Sequence, residues 1–165
     1  MPAGLLMLPT LAWACPNCPS DGRTRVATGI VDTFWDTADG ARPGDAIVAR
    51  PLTTMTTPGP ATTILRPDAD WQRGPLCQHR GADVDWHTTE GACVVKRDGT
   101  YDCFYSGSAW FTETYGVHAV SADAVLGPYW PALGILRATP GALRGLGHNS
   151  IVASPDGAQP IVYHA

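Results

Sequence analysis

The stretch DWHTTEGACVVKRDGTYDCFYSGSAW, residues 85–110, decides the fold. Two runs with the alternation of half-buried strands, Cys93 to Lys96 and Tyr101 to Tyr105, flank the pair Asp98-Gly99. An Asp-Gly pair between two such runs is a strong signal for a tight β-hairpin, because both turn residues must adopt positive φ. The stretch therefore predicts a hairpin, with one carboxyl residue, Glu90, just before its first strand.

Short strand-like runs continue along the chain, and turn residues separate them at close intervals. The other clear runs are Ala46–Ala49, Thr62–Leu65, Val117–Val120, Ile151–Ala153 and Ile161–Tyr163. No segment of about 12 residues or more keeps a clean helical period. The sequence thus predicts an all-β protein.

Internal repeats indicate how these strands are arranged. The segments CVVKRDGTYDCFYSG and SIVASPDGAQPIVYHA share an apolar pair, an Asp-Gly turn and a later tyrosine, and their turn glycines Gly99 and Gly157 are 58 residues apart. A weaker copy surrounds Gly22. The segments GPATTILRPDADW and GPYWPALGILRATPG both run from Gly-Pro to Ile-Leu-Arg. A unit of this size built of strands alone is typical of a β-propeller blade, which is a four-stranded antiparallel sheet.

The number of repeats predicts a partial propeller. They amount to about two to three blades, whereas closed propellers usually have four to eight. We therefore interpret residues 1–165 as a single partial β-propeller domain that is truncated at both ends.

Composition and charge exclude several classes of function. The chain of 165 residues contains 18 Gly and 15 Pro, which fits many turns and short strands. Its formal net charge is −4, and it has no block of Lys and Arg of the kind that binds nucleic acid. No run approaches the roughly 20 apolar residues of a membrane helix. We expect no nucleic-acid partner and no membrane partner.

The cysteines give little evidence for a metal or a disulfide. Cys15 and Cys18 form a CxxC pair, but a second pair with matching spacing is missing. Cys93 and Cys103 lie in opposite arms of the hairpin among apolar residues, so we expect buried free thiols. The run GLLMLPTLAWAC is similar to the apolar part of a signal peptide, but no Lys or Arg precedes it. Localisation, cytoplasmic or secreted, stays open.

Glu90 is the candidate catalytic residue on chemical grounds. A carboxyl group just before an inner propeller strand would point into the central cavity, where a low dielectric raises a carboxyl pKa and suits a general acid. Trp86 and Trp110 would offer flat faces on which a sugar ring can stack. The alternative is an ordinary carboxylate beside a glycine.

Three segments together resemble glycoside hydrolase family 43, the five-bladed β-propeller glycosidases. The stretch of residues 85–110 resembles the family's Glu-Gly-Pro element and the following strand that ends in FYSG. TYGVHAVSADAVLGPYW resembles its next blade strand, and GHNSIVASPDGAQPIVYHA resembles its Gly-His and Asp-Gly element. The resemblance covers about residues 36–165, whereas residues 1–35 match the family poorly.

The resemblance implies an inverting hydrolase of O-glycosidic bonds in arabinose- or xylose-containing polysaccharides or oligosaccharides. The family uses an Asp base, a Glu acid and a further Asp that tunes the acid. Glu90 matches the acid, with Ala92 where the family often has Pro. The base belongs to a first blade that would precede Met1, so we expect this chain to lack its base and to be inactive alone.

The match leaves the tuning Asp open between two stretches. ACPNCPSDGR has the expected distance to an Asp-Gly turn but carries Cys15 at the Asp position. IVDTFWDTADG supplies Asp32 but is displaced by about one residue. Asp32 is the candidate, and a carboxylate in a surface turn is the alternative.

Further residues are candidates for binding. His148 matches a family histidine that helps to hold a central calcium or water cluster in several members, and a hydrogen-bonded turn histidine is the alternative. His87 and Tyr115 join Trp86 and Trp110 as candidate substrate-binding residues, with packing at a blade mouth as the alternative. The resemblance implies a carbohydrate partner and no required cofactor.

Two other functions are open at this stage. A propeller portion without its base could bind sugars through Trp86 and Trp110 as a non-catalytic or degenerate module. The chain could also be a purely structural repeat protein, in which case Glu90 would have no part in hydrolysis.

Overall fold

The computed structural model describes residues 29–36, 42–54, 56–79, 82–139 and 142–165. Within these ranges the chain forms strands and a single short 3-10 helix, Asp70–Gln72, which confirms the all-β prediction. The strands are β1 (Gly29–Asp36), β2 (Gly44–Pro51), β3 (Thr62–Leu65), β4 (Cys77–His79), β5 (Ala82–Val84), β6 (Thr89–Arg97), β7 (Thr100–Gly107), β8 (Gly116–Ala122), β9 (Trp130–Arg137), β10 (Gly147–Ile151) and β11 (Ile161–His164). Among the described elements, no helix has the length and apolar character needed to cross a membrane.

The predicted hairpin is formed by β6 and β7. Arg97 pairs with Thr100, and the two residues between them, Asp98 and Gly99, have φ values of 46° and 91°. Positive φ at both positions is the geometry that the Asp-Gly pair predicted. The hairpin is confirmed in position and turn type.

The hairpin belongs to a four-stranded antiparallel sheet in the order β6-β7-β8-β9. β7 and β8 pair without interruption from Tyr101 opposite Ala122 to Gly107 opposite Gly116. We call the end of this sheet that contains Thr89, Gly107 and Gly116 the Glu90 edge, because β6 begins there and β7 ends there. This sheet is the predicted propeller blade.

A second sheet, in the order β1-β2-β3, packs against β6 through β1 and β2. β2 begins at the Glu90 edge, where Gly44 lies beside His87 and the Asp45 amide donates to the His87 carbonyl at 2.9 Å. A Cβ atom on Gly44 would overlap this carbonyl, so the approach requires glycine. β1 therefore runs toward the Glu90 edge, as β7 does, and β2 runs away from it, as β8 does.

This direction makes β1-β2-β3 the counterpart of β7-β8-β9. This correspondence between the sheets agrees with the repeat of Ile-Leu-Arg in the sequence. The first copy, residues 64–66, begins in β3, and the second copy, residues 135–137, forms the end of β9. The weaker repeat copy around Gly22 lies outside the described residues, as do Cys15 and Cys18.

The third unit is the hairpin β10-β11, whose first strand packs against β6, β7 and β8. The Ile151 amide lies 3.4 Å from Cys93 Sγ and ties the end of β10 to β6. The observed strand, Gly147–Ile151, begins earlier than the predicted run Ile151–Ala153. Pro155 and Pro160 lie in the connection, and proline cannot donate to a strand ladder.

The core lies between the β2 and β6-β7-β8 layers. It consists of Ile47, Ala92, Cys103, Tyr105 and Val120. Cys93 and Cys103 are both free thiols, as predicted; Cys103 is buried, whereas Cys93 is only half-buried. The core extends to a stacked pair, Trp71 and His118, whose ring centroids are 3.6 Å apart. Burial lowers the pKa of His118 to about 4, so this imidazole is neutral at neutral pH.

Candidate active site

Glu90 is the second residue of β6, opposite Ser106, and its side chain is half-buried. The hydroxyl of Tyr115 donates a hydrogen bond of 2.7 Å to Glu90 Oε1. Tyr115 is fully buried, and burial followed by the interaction with Glu90 raises the pKa of its phenol far above the ordinary value. The phenol therefore stays protonated, and it fixes one of the two oxygens of Glu90.

A local irregularity follows Glu90 and explains the glycine next to it. The pairing register of β6 with β7 shifts between Glu90 and Cys93, and Gly91 has a φ of 59°. A Cβ on Gly91 would lie only 3.0 Å from the His148 Cα. Glycine at this position both permits the positive φ and lets β10 approach β6 closely.

β10 completes the surroundings of Tyr115. The His148 amide donates to Ser106 Oγ at 2.8 Å, which ties the start of β10 to the Glu90 edge. A Cβ on Gly147 would overlap the Tyr115 ring. On the same hairpin, the His164 ring stacks near Tyr115 with a centroid distance of 5.9 Å. Tyr115 is therefore held between the sheet that carries Glu90 and the hairpin β10-β11.

Asp45 is a second carboxylate at the Glu90 edge, and the sequence analysis did not identify it. Its main-chain carbonyl accepts a hydrogen bond of 2.6 Å from Thr89 Oγ1, and its Oδ2 accepts one of 3.3 Å from Trp86 Nε1. Burial raises the pKa of Asp45 to about 6, and the negative charge of Glu90 adds to this shift, while the bond from Trp86 opposes it.

The raised pKa of Asp45 predicts a pH-dependent effect of Asp45→Asn. Above pH 6 the native state holds an ionised carboxylate that burial disfavours, so the amide is expected to increase the free energy of unfolding at pH 8. As pH falls through 6 toward 4, native Asp45 takes up its proton before the unfolded state does, and the advantage of the variant should shrink. Urea unfolding of both proteins between pH 8 and pH 4 measures this. A difference that stays constant with pH would contradict the assignment.

Asp32 lies four residues before Asp36, the residue of β1 that reaches the Glu90 edge. Asp32 pairs with Val48 on β2, and Val48 is four residues from Gly44 at the Glu90 edge. Four residues of strand correspond to roughly 13 Å. In β7, the counterpart of β1, the corresponding position is Cys103, which pairs with Val120 on β8. Asp32 thus lies in the middle of the second strand of its blade, and Asp45 is the carboxylate near Glu90.

Trp86 and His87 are both buried, which corrects the expectation that they offer faces to a sugar. His87 Nδ1 lies 3.0 Å from the Asp85 carbonyl, and its Nε2 lies 3.1 Å from Arg42 Nη1. The Trp86 ring is packed in the core, and its Nε1 reaches Asp45. These residues shape the junction of β2 with β6, which was the alternative considered for them.

The remaining candidates divide by exposure. Tyr115 is buried and acts on Glu90, so it is a positioning residue. Trp110 is 65% exposed in the loop between β7 and β8. It is the candidate sugar-stacking residue whose ring is accessible.

His148 is exposed and has a φ of 48°. Its ring lies 6.3 Å from that of His164, between centroids. Within the part of the chain that the structure describes, no group of three or more His, Cys, Asp or Glu side chains lies close enough to hold a metal. Calcium prefers six to eight oxygen ligands, and two imidazoles do not supply them. Calcium near His148 stays a prediction.

Known structures share this fold. A thermostable family-43 glycoside hydrolase superimposes with a TM-score of 0.66 and 24% identity, over 82% of this chain and 44% of that chain. An alpha-L-arabinofuranosidase from Lactobacillus brevis gives a TM-score of 0.61 and 24% identity, over 82% of this chain and 41% of that chain. At this identity the likeness shows the fold alone, and the chain is part of a β-propeller of the type found in glycoside hydrolases.

Sequence comparison defines the family. The model of Glycosyl hydrolases family 43 matches residues 34–165. The chain is 30% identical over 155 residues to alpha-L-arabinofuranosidase 43 of Humicola insolens. This match covers 87% of this chain and 30% of the relative. It is 38% identical over 77 residues to beta-D-galactofuranosidase xynD of Aspergillus niger, covering 46% of this chain and 22% of the relative. The chain belongs to glycosyl hydrolase family 43, and it spans less than a third of the length of these two relatives.

Proposed function

We propose that the protein carrying this chain hydrolyses O-glycosidic bonds in arabinose- or xylose-containing carbohydrates, with Glu90 as general acid. The observation that carries the proposal is the hydrogen bond of 2.7 Å from buried Tyr115 to Glu90 Oε1. Because the phenol occupies Oε1, the other carboxyl oxygen is left to carry a proton to the leaving glycosidic oxygen. General acid catalysis of this kind contributes about 10²- to 10⁴-fold.

The names of the relatives support the substrate class. The Humicola protein is an arabinofuranosidase and the Aspergillus protein is a galactofuranosidase, so both names describe removal of a five-membered sugar ring. Because galactose is a hexose, the feature that the two names share is the furanose ring. We propose an arabinofuranoside as the sugar whose bond is cleaved, with a xylopyranoside, which the family resemblance implies, as the alternative.

The proposed reaction inverts the anomeric centre. An inverting enzyme needs a general base roughly 6.5 to 9.5 Å from the acid, so that a water molecule fits between the base and the sugar. The family resemblance implies a base in another blade, and we assign none of the described residues to this role. Asp45, near Glu90, is proposed to influence the acid through its charge and to take no proton from water.

Hydrolysis of aryl pentosides tests the proposal. The protein that carries this chain is expected to release 4-nitrophenol from 4-nitrophenyl α-L-arabinofuranoside or 4-nitrophenyl β-D-xylopyranoside. Proton NMR during the first turnovers should show the sugar with the opposite anomeric configuration. First formation of the same anomer would exclude the inverting mechanism.

The second candidate function is carbohydrate binding without hydrolysis. The exposure of Trp110 favours it, because a stacking face does not depend on a catalytic base. Binding of arabino- or xylo-oligosaccharides with no release of 4-nitrophenol by the protein would support this function over the first.

A further inference from the structure

Two large aromatic side chains are exposed together in the loop 108–115, which joins β7 to β8. Trp110 is 65% exposed and Phe111 is 57% exposed. Their ring centroids are 5.5 Å apart, and the ring planes stand at 87° to each other. Adjacent aromatic rings that remain in water are unfavourable by themselves, and such exposed apolar groups commonly mark a binding surface.

The loop is held in shape by a cluster of hydroxyl groups. Ser108 is buried with a φ of 73°, and its Oγ donates to the Arg73 carbonyl at 2.9 Å. The same Oγ lies 3.0 Å from Thr112 Oγ1 and 2.7 Å from Thr114 Oγ1. Thr112 Oγ1 also donates to the Ala109 carbonyl at 2.7 Å. These bonds on both sides of the aromatic pair fix its position before a ligand arrives, which lowers the entropy cost of binding.

The loop starts and ends at the Glu90 edge. The Ser108 amide donates to the Thr88 carbonyl at 3.3 Å, two residues before Glu90. At the other end of the loop, Tyr115 donates to Glu90. Gly145, with a φ of 68°, packs against the Trp110 carbonyl, where an added Cβ would come within 2.9 Å. One preorganised loop thus carries both the residue that positions Glu90 and the exposed aromatic pair.

The charges near the aromatic pair favour a neutral ligand. Glu113, in the same loop, forms an ion pair of 3.1 Å with Arg144, so the two charges largely neutralise each other. Two aromatic side chains are also far too small for a stable protein interface, which needs about 1,000 Å² or more. A single sugar ring, in contrast, needs only one flat apolar face and polar groups around it.

We propose that Trp110 and Phe111 form an accessory subsite that binds a second sugar ring of an oligosaccharide whose cleaved bond lies at Glu90. This inference rests on the proposed function for the position of the cleaved bond. One ring serves as the stacking face and the other, nearly perpendicular, closes one side of the subsite. The ligand is a linear neutral oligosaccharide of pentose units.

Binding measured without turnover tests this subsite. The Glu90→Gln variant of the protein that carries this chain is titrated calorimetrically with β-1,4-linked xylotetraose and with α-1,5-linked arabinotetraose. This variant is used because it should bind these ligands without cleaving them. Loss of hydrolysis therefore does not remove the signal, and a failure of the proposed function can be told apart from a failure of the subsite. Trp110→Ala and Phe111→Ala are each expected to weaken binding about tenfold, and Trp110→Phe to retain most of the affinity.

The matched control is Leu126→Ala. Leu126 is 48% exposed in the connection between β8 and β9, at the opposite end of the sheet from the Glu90 edge. It should bind both tetrasaccharides as the parent does. Unchanged affinity in both aromatic variants, or an equal loss in Leu126→Ala, would overturn the subsite. A change of oligomeric state on Trp110→Ala with unchanged sugar binding would overturn it in favour of a protein contact.

Discussion

Glu90→Gln is expected to reduce hydrolysis of an unactivated pentoside on the order of 10²-fold or more in the protein that carries this chain. The amide preserves the size of the side chain and can still accept the Tyr115 hydrogen bond, but it has no proton of suitable acidity for the leaving oxygen. The measurement is kcat/KM for arabino- or xylo-oligosaccharides and for aryl pentosides with leaving groups of increasing acidity.

The pattern across leaving groups separates acid catalysis from a general loss of structure. A 2,4-dinitrophenyl leaving group departs without protonation, so its hydrolysis should be reduced far less than that of an oligosaccharide. Glu113→Gln is the matched control, because Glu113 is an exposed carboxylate whose partner is Arg144. Equal losses for activated and unactivated substrates, or a loss as large in Glu113→Gln, would remove Glu90 from the role of general acid.

Gly147→Ala should be a strongly damaging change, although it adds only a single methyl group. The new Cβ would overlap the Tyr115 ring, which is fully buried and cannot move away freely. Such overpacking typically costs about 1–3 kcal/mol of stability. If Tyr115 does move, its hydroxyl leaves Glu90, and hydrolysis should fall together with thermal stability.

Gly74→Ala is the corresponding control, since an added Cβ there would meet its nearest neighbours at ordinary distances of 3.7 and 3.8 Å. Thermal unfolding of both variants compares a crowded with an uncrowded position. Tyr115→Phe, which removes only the hydroxyl, reports the part of the activity loss that comes from the hydrogen bond. A Gly147→Ala protein as stable and as active as Gly74→Ala would show that the ring of Tyr115 does not depend on this contact.

Local signals were sufficient for the fold. The turn at Asp98-Gly99 depends on two residues that tolerate positive φ, and the repeat spacing reproduced the succession of sheets. Gly40 is 59 residues before Gly99 and belongs to an Asp-Gly pair between β1 and β2. Since β1 and β2 correspond to β7 and β8, an Asp-Gly pair can also join the second and third strands of a blade.

That ambiguity explains why the sequence did not show in which strand of the blade Asp32 lies. An Asp-Gly pair marks a change of direction without saying which strands of the blade it joins. Only the bridge of Gly44 with His87 shows that β2 leaves the Glu90 edge, and this contact joins residues distant in sequence. The order of strands within a blade is a tertiary property, so the sequence could not place Asp32.

The burial of individual side chains was the second property that the sequence could not reveal. Trp86, His87 and Trp110 look equally suited to stacking on a sugar, yet two are enclosed and one is exposed. Their difference depends on β2 and Arg42, which approach from another part of the chain. Asp45 was missed for the same reason. It stands before an ordinary apolar run, and only the approach of Glu90 and Trp86 makes it unusual.

The contact of Tyr115 with Gly147 also has a consequence for biosynthesis. Glu90 and Tyr115 precede β10 in the chain and therefore leave the ribosome earlier, whereas a domain generally folds as a unit. Until β10 arrives, one side of the phenol has no neighbour to hold it. We expect nascent chains that stop before residue 147 to contain Glu90 without its final orientation, because the contact of Gly147 with the Tyr115 ring is missing from them.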